Sequence, residues 1–262
     1  MKRRSFVKAS LLTSAAAIVN PVVTNAMVAD TSAEFYELRV YTLKNSIQQG
    51  LVEDFYSKAA IPAFTRLGIQ HVGVFTELKP AGQTKLFVLI PYRSLLHFNE
   101  ILIKLDTDKI YQQNGMSYLC APATEPAYER IESSIMKAFA RAPKMIVPTA
   151  KTRVFELRQY QSASEAAGKK KIEMFNDQGE IDIFKRLGFK PVFWGETVIG
   201  PLRPNLTYMV TFDDLAAKDA HWKAFGADPQ WKKISTADGY ADAILVNKIT
   251  STLLLPTAYS QV

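Results

Sequence analysis

The chain has 262 residues, 48% of them hydrophobic and 22% charged, with a net charge of +7 and a single cysteine. That composition excludes a disordered chain and a many-pass membrane protein, and one cysteine excludes an intramolecular disulfide. The length fits one large or two small domains, so internal repeats decide the organisation.

The first element reads as an export signal. Lys2-Arg3-Arg4-Ser5-Phe6-Val7-Lys8 precedes an apolar run, Ala9 to Val23, which Ser10, Thr13, Ser14, Asn20 and Pro21 interrupt. The run is weak and short for a bilayer span. The paired arginines followed by Ser-Phe-Val-Lys resemble the twin-arginine address, which a receptor reads and which does not anchor; an ordinary secretory signal is the alternative. Thr24-Asn25-Ala26 supplies small residues for cleavage after Ala26, with Ala29 the second choice. The expected location is periplasmic or otherwise exported, with no permanent membrane span once the signal is cleaved. Cleavage removes four basic residues and no acid, taking the net charge from +7 to +3. Nucleic acid therefore drops out as an expected partner.

Beyond the signal the chain repeats itself. Phe35-Tyr36-Glu37-Leu38-Arg39-Val40-Tyr41 returns as Val154-Phe155-Glu156-Leu157-Arg158-Gln159-Tyr160, and Arg66-Leu67-Gly68 returns as Arg186-Leu187-Gly188. Phe75-Thr76-Glu77 aligns with Trp194-Gly195-Glu196, and His97-Phe98 loosely with His221-Trp222. In the first copy, alternation and β-branched or aromatic residues predict a strand over 34–44. Ser46 is placed to cap a helix whose apolar residues run from Leu51 to Leu67, which Pro62 kinks and Gly68 ends. Segments 69–79 and 85–91 predict a hairpin around Pro80-Ala81-Gly82-Gln83. A second helix is expected over 94–105, a shorter helical piece over 108–118 and a final strand within 128–139. Asp106/Asp108 and Asp213/Asp214 fall at helix boundaries, where carboxylates cap free amides.

Each copy is thus βαββαβ, the ferredoxin-like unit. The predicted fold class is α+β: two tandem ferredoxin-like modules packed sheet to sheet as a pseudo-dimeric α+β barrel, so that each copy covers the other's free sheet face. The expected division is 1–26 signal, 27–145 first repeat and 146–262 second repeat, with a proline-bearing linker over 140–151. The paired YELR-VY and FELR-QY openings, the RLG helix ends and Asp228-Pro229-Gln230-Trp231 resemble the NIPSNAP family over about residues 35–256. The resemblance implies the dimeric α+β-barrel superfamily, which includes monooxygenases, haem-linked enzymes and proteins without demonstrated chemistry. It supplies no catalytic motif to transfer.

Period-two geometry puts Glu37, Arg39 and Tyr41 on one strand face, opposite Tyr36, Leu38 and Val40. The second copy repeats this with Glu156, Arg158 and Tyr160. The more apolar face is expected against the helices, which turns the Glu-Arg-Tyr face toward the lumen between the sheets. There the arginines either grip an anion with the tyrosines' help, or close with the glutamates into buried ion pairs that fix the packing; the closed pairs are preferred. His71 falls in the predicted second strand and would serve as haem ligand or general base if it faced the lumen. Lys169-Lys170-Lys171 reads as the solvated start of a helix, and Cys120 as a small buried hydrophobe. No Gly-rich phosphate loop, nucleophile elbow or zinc spacing is present.

Two functions compete on this reading. The preferred one is non-catalytic binding of a small molecule or partner through the barrel lumen or rim, with no cofactor and no metal. The alternative is an α+β-barrel oxidoreductase, either a cofactor-independent oxygenase or a haem-linked enzyme. A small anionic or aromatic ligand and further copies of the chain are the expected partners.

Overall fold

The computed structural model describes residues 33–149 and 153–262; the signal and its cleavage site lie outside them. The first repeat runs β1 (Phe35–Leu43), α1 (Ser46–Phe55), a π-helical turn (Tyr56–Ala60), α2 (Ile61–Arg66), β2 (Gly73–Glu77), β3 (Thr84–Tyr92), α3 (Leu95–Thr107), α4 (Lys109–Asn114), α5 (Met116–Leu119) and β4 (Arg130–Ala138). The second runs β5 (Val154–Gln161), α6 (Glu165–Asn176), α7 (Glu180–Arg186), β6 (Lys190–Ile199), β7 (Asn205–Phe212), α8 (Leu215–Ala227), α9 (Pro229–Ser235), α10 (Asp242–Leu245) and β8 (Lys248–Pro256).

Each repeat forms a four-stranded antiparallel sheet, ordered β4-β1-β3-β2 and β8-β5-β7-β6. The sheets join edge to edge: β2 pairs with β8 and β4 with β6, closing an eight-stranded barrel. Its interior is filled by apolar side chains from all eight strands, among them Tyr36, Leu38, Phe75, Phe155, Phe193 and Met209. A barrel of eight strands has an interior just wide enough for side chains to fill. Two further cores lie outside the barrel wall, each between one sheet and its own helices.

This closure overturns the expected facing of the first strands. Tyr36 and Leu38 point into the lumen, whereas Tyr41 packs with Phe55, Tyr56 and other residues of the helical layer. Tyr160 does the same in the second repeat. Both sheet faces are covered, so neither is simply the wet one. A sealed lumen offers a charge neither water nor helix side chains, and it takes the apolar face; the helical layer can supply hydroxyls and partial solvent.

Local chemistry explains most of the element boundaries. Asn45, not Ser46, caps α1 by accepting from Gln48 N at 3.0 Å. Pro62 has no amide proton for the helical ladder, and immediately before it the chain widens into a π turn in which Ile61 N–H reaches Tyr56 O. Gly68 and Gly188 end α2 and α7 in the left-handed region, φ 84 and 79. Arg66 bonds Asp108, the cap of α4, at 2.6 Å, and Arg186 bonds Asp228, the cap of α9, at 2.9 Å. The RLG and Asp-Pro-Gln-Trp motifs are thus two ends of one structural tie, with Asp228 also accepting from the amides of Gln230 and Trp231.

Several alignments shift by small amounts. Val74 stands opposite Val88, and Trp194 opposite Tyr208, so Trp194 matches Val74 and not Phe75. Counted from the caps Ser94 and Asp214, Phe98 lies one helical turn before the position of Trp222. The second strand starts at Gly73, so His71 precedes it, exposed and in a left-handed conformation, φ 65. Cys120 is exposed, not buried.

Because the lumen core draws on both repeats, neither half has a complete interior. Fragments 27–145 and 146–262 are expected to show no cooperative urea transition when expressed singly, and to regain one when mixed. Two separately cooperative, monomeric fragments would contradict the shared core.

Candidate functional site

The glutamate and arginine of each first strand meet as a buried pair under the helices. In the first repeat Arg39 Nε and Nη2 donate to the two oxygens of Glu37 at 2.7 and 2.9 Å. The same carboxylate accepts from Ser133 at 2.7 Å and from Tyr92 at 3.1 Å. Burial by itself raises the Glu37 carboxyl, but Arg39 and these hydrogen bonds hold it below the ordinary range. Glu37 is therefore an ionised, fully engaged partner and not a free base.

Arg39 also starts a line of hydroxyls. Its Nη1 lies 3.4 Å from Tyr56 Oη, Tyr56 lies 2.8 Å from Tyr41, and Tyr41 lies 2.9 Å from Tyr118. A guanidinium only donates, so Tyr56 accepts from Arg39, whereas in the Tyr56–Tyr41 and Tyr41–Tyr118 pairs either hydroxyl can donate. With each hydroxyl giving its hydrogen outward, Tyr118 keeps one to give. Burial pushes Tyr41, Tyr56 and Tyr118 upward, so all three are neutral phenols at physiological pH.

Tyr118 forms part of the wall of a cavity of about 400 Å³ at the barrel rim, with Pro122, Ala127, Tyr128 and Arg130. A neighbouring cavity of about 480 Å³ lies across the same loop, between Pro122, Pro126 and the start of α1. Gln48 fixes that loop: its Nε2 donates to Pro126 O at 2.9 Å, while its Oε1 accepts from Lys44 N at 2.7 Å. Tyr118 is stacked on Phe55 with centroids 3.9 Å apart and planes at 12°.

The second repeat builds a similar pair with different donors. Arg158 donates to Glu156 at 2.8 Å, and Ser251 takes the place of Ser133 at 2.7 Å. Phe212 stands where the first repeat has Tyr92, and Trp222 Nε1 supplies the missing donor from α8 at 2.6 Å. Likewise Phe175 replaces Tyr56, and the hydroxyl comes instead from Tyr208 on β7, 3.1 Å from Tyr160. Arg158 lies over the Trp222 ring, 4.5 Å from its centroid. The hydrogen-bonding need of the pair is met in both halves by different positions.

The second repeat also contains a cluster that the first lacks. Lys171 stands at the position of Val52 and is fully buried, which corrects its reading as part of a solvated run. Its Nζ lies 3.3 Å from Glu180 and 3.0 Å from Asp242 on α10, among the rings of Tyr160, Phe175 and Trp231. Burial pushes the Glu180 carboxyl up to about 7, against the pull of Lys171. One lysine facing two carboxylates leaves the wholly buried acid the readier to keep a proton.

The structure therefore joins Glu37, Arg39 and Tyr41 in one helical layer and Glu156, Arg158 and Tyr160 in the other, with the filled lumen between them. None of the six lines that lumen, and the two sets are not one site. His71, offered as a lumen ligand for haem, joins neither set; it sits outside the barrel in the wall of another cavity. Among the described residues no group of three or more His, Cys, Asp and Glu side chains could hold a metal ion. Tyr56, Tyr92 and Tyr118 carry no motif, and Trp222 enters the sequence only as a loose repeat match to Phe98. Lys171 was signalled only by its offset of 119 from buried Val52 and its i+3 and i+4 neighbours Met174 and Phe175.

Two measurements test these assignments. Arg158→Leu leaves the Glu156 carboxylate buried and unpaired, which is expected to cost about 3–5 kcal/mol in urea denaturation. Adding Glu156→Gln should recover much of that loss; no recovery would remove the ion pair as the cause. For Glu180 the folded value of about 7 exceeds its ordinary 4.5. Its contribution is complete below the lower value and lost as the pH rises through the upper one, on the order of 3 kcal/mol. Glu180→Gln should flatten stability against pH across that window; an unchanged slope would refute the assignment.

The NIPSNAP family pattern matches residues 36–143 and again 155–261. No curated protein matches the chain. A solved Lactobacillus acidophilus structure described as a "putative monooxygenase" is similar over 86% of this chain and 94% of its own, at 10% identity and a TM-score of 0.59. An anthrone oxidase-like protein is similar over 87% and 93%, at 12% identity and a TM-score of 0.52. At such identities the likeness is one of fold. With two successive matches that together cover most of its length, this chain belongs to the NIPSNAP family.

Proposed function

We propose that this protein is a non-catalytic binder of small aromatic molecules bearing a hydrogen-bond acceptor, held at the barrel rim of the first repeat. The observation that carries the reading is the line Arg39, Tyr56, Tyr41, Tyr118, which reaches the wall of a cavity of about 400 Å³ and, polarised outward, offers a hydrogen there. Tyr118 and Tyr128 offer ring faces for an aromatic body, and Arg130 in the same wall suits an acidic substituent. This reading keeps the rim and gives up the lumen, which side chains fill. We place the protein's action after export, as its amino-terminal sequence suggests.

An oxygenase without cofactor is the second reading, since a line of hydroxyls can also move a proton. Binding is favoured because burial raises each phenol in the line and Glu37 is locked by four donors, leaving no group in the network to take a proton at neutral pH. The haem-linked form of that reading loses its residue, because His71 lies outside the barrel wall.

Native mass spectrometry of protein purified from its own periplasm is expected to find a retained aromatic molecule on a chain beginning near Met27. Benzoate, 4-hydroxybenzoate and salicylate serve as probes by calorimetry. Tyr118→Phe should weaken binding by roughly tenfold, the worth of one hydrogen bond to a charged acceptor, while Tyr208→Phe leaves it intact. Equal loss in both variants, or no binding by wild type, would end this reading. Oxygen uptake on adding the retained molecule would favour the oxygenase.

A further inference from the structure

Outside both tyrosine layers, a cavity of about 190 Å³ lies between the chain after α2 and the turn from β3 to α3. Glu34, Gly68, His71, Tyr92, Arg93 and His97 are in its wall. His97 is 5% exposed, and its Nδ1 accepts the backbone N–H of Arg93 at 3.2 Å. A neutral imidazole that accepts at Nδ1 carries its proton at Nε2. That Nε2 is buried with no hydrogen-bond partner among the described residues. Burial and the nearby charge of Arg93 both lower the His97 pKa, which keeps the ring a neutral donor. A buried donor without an acceptor calls for an explanation.

Two other polar groups of this wall are engaged. Glu34 Oε2 accepts from Met145 N at 2.8 Å, and the Tyr92 hydroxyl goes to Glu37. Arg93 is exposed and its guanidinium has no ion-pair partner among the described residues. The wall thus leaves His97 Nε2 without an acceptor and Arg93 without a direct ion pair, the Glu34 carboxylate being the one acid in the same wall. In the second repeat the histidine of the corresponding helix is used differently. His221 Nδ1 lies 2.7 Å from Ala217 O, and its ring packs on Phe189 and Phe212 at 5.3 and 5.8 Å. Its Nε2 is 3.4 Å from where a side chain on Gly188 would begin, so the ring fills that corner.

We propose that the cavity beside His97 binds a small oxyanion, a carboxylate or phosphate group, which accepts from His97 Nε2 and pairs with Arg93. This site is separate from the rim and does not depend on the reading of it. The group can belong to a free ion or to the end of a larger molecule, since Gln70 and His71 leave one side of the wall exposed.

The test is ¹⁵N NMR of the histidine ring nitrogens in the full mature chain, titrated separately with sodium acetate and sodium phosphate. A saturable shift of His97 Nε2, with His221 unmoved, is expected with at least one of them. Acetate alone assigns a carboxylate, and phosphate alone a phosphate. Arg93→Gln, a surface change that leaves the core intact, should weaken the effect by roughly tenfold, and Tyr118→Phe should not alter it. No shift with either salt, or the same affinity in Arg93→Gln, would overturn the proposal.

Discussion

The closed barrel lumen is the constraint from which the rest follows. Joining β2 to β8 and β4 to β6 removes the sheet edges and seals a space that only side chains can fill. Tyr36, Leu38, Phe75, Phe155, Phe193 and Met209 fill it. Once the lumen is dry, the charged half of each first strand can be accommodated only on the outer face, beneath the helices. The arginine-glutamate pairs owe their position to this exclusion more than to mutual attraction, since burying two charges costs more than an apolar pair of the same size.

Beneath the helices, the pair's requirements are met flexibly. Glu37 draws donors from a strand tyrosine, a strand serine and its arginine, whereas Glu156 draws them from a helix tryptophan, the equivalent serine and its arginine. Tyr56 on a π turn and Tyr208 on a strand supply hydroxyls to Tyr41 and Tyr160. What persists between repeats is the satisfied carboxylate, and the residue that satisfies it changes. The π turn before Pro62 is part of this economy, because it carries Tyr56 at the junction between Arg39 and Tyr41.

The two halves then diverge in how their outer layers end. In the second repeat, Lys171, Glu180 and Asp242 bind α10 onto α6 and close the layer with a buried ion cluster. In the first, the corresponding interior is apolar Val52, and the hydroxyl line runs outward to Tyr118 and the rim cavities. One repeat is tied shut by charge while the other ends in a tyrosine hydroxyl, a division on which the proposal of a binding site in the first half rests.

Much of this fold was legible in the chain itself. The YELR and FELR strands, the RLG helix ends and the spacing of turn residues determined two βαββαβ units, because alternation, helical period and capping act over a few residues and need no distant partner. Asp108 and Asp214 were recognisable as boundary residues for the same reason. The facing of Glu37, Arg39 and Tyr41 was not recognisable. Period two separates a strand's faces without saying which is inward, and when helices cover one face and a sealed lumen the other, polarity gives no simple answer. Nor could the sequence reveal which acids Lys171 meets or that Tyr118 meets Tyr41 across 77 positions. Those placements depend on which helix lies over which strand, and only the closed barrel decides that.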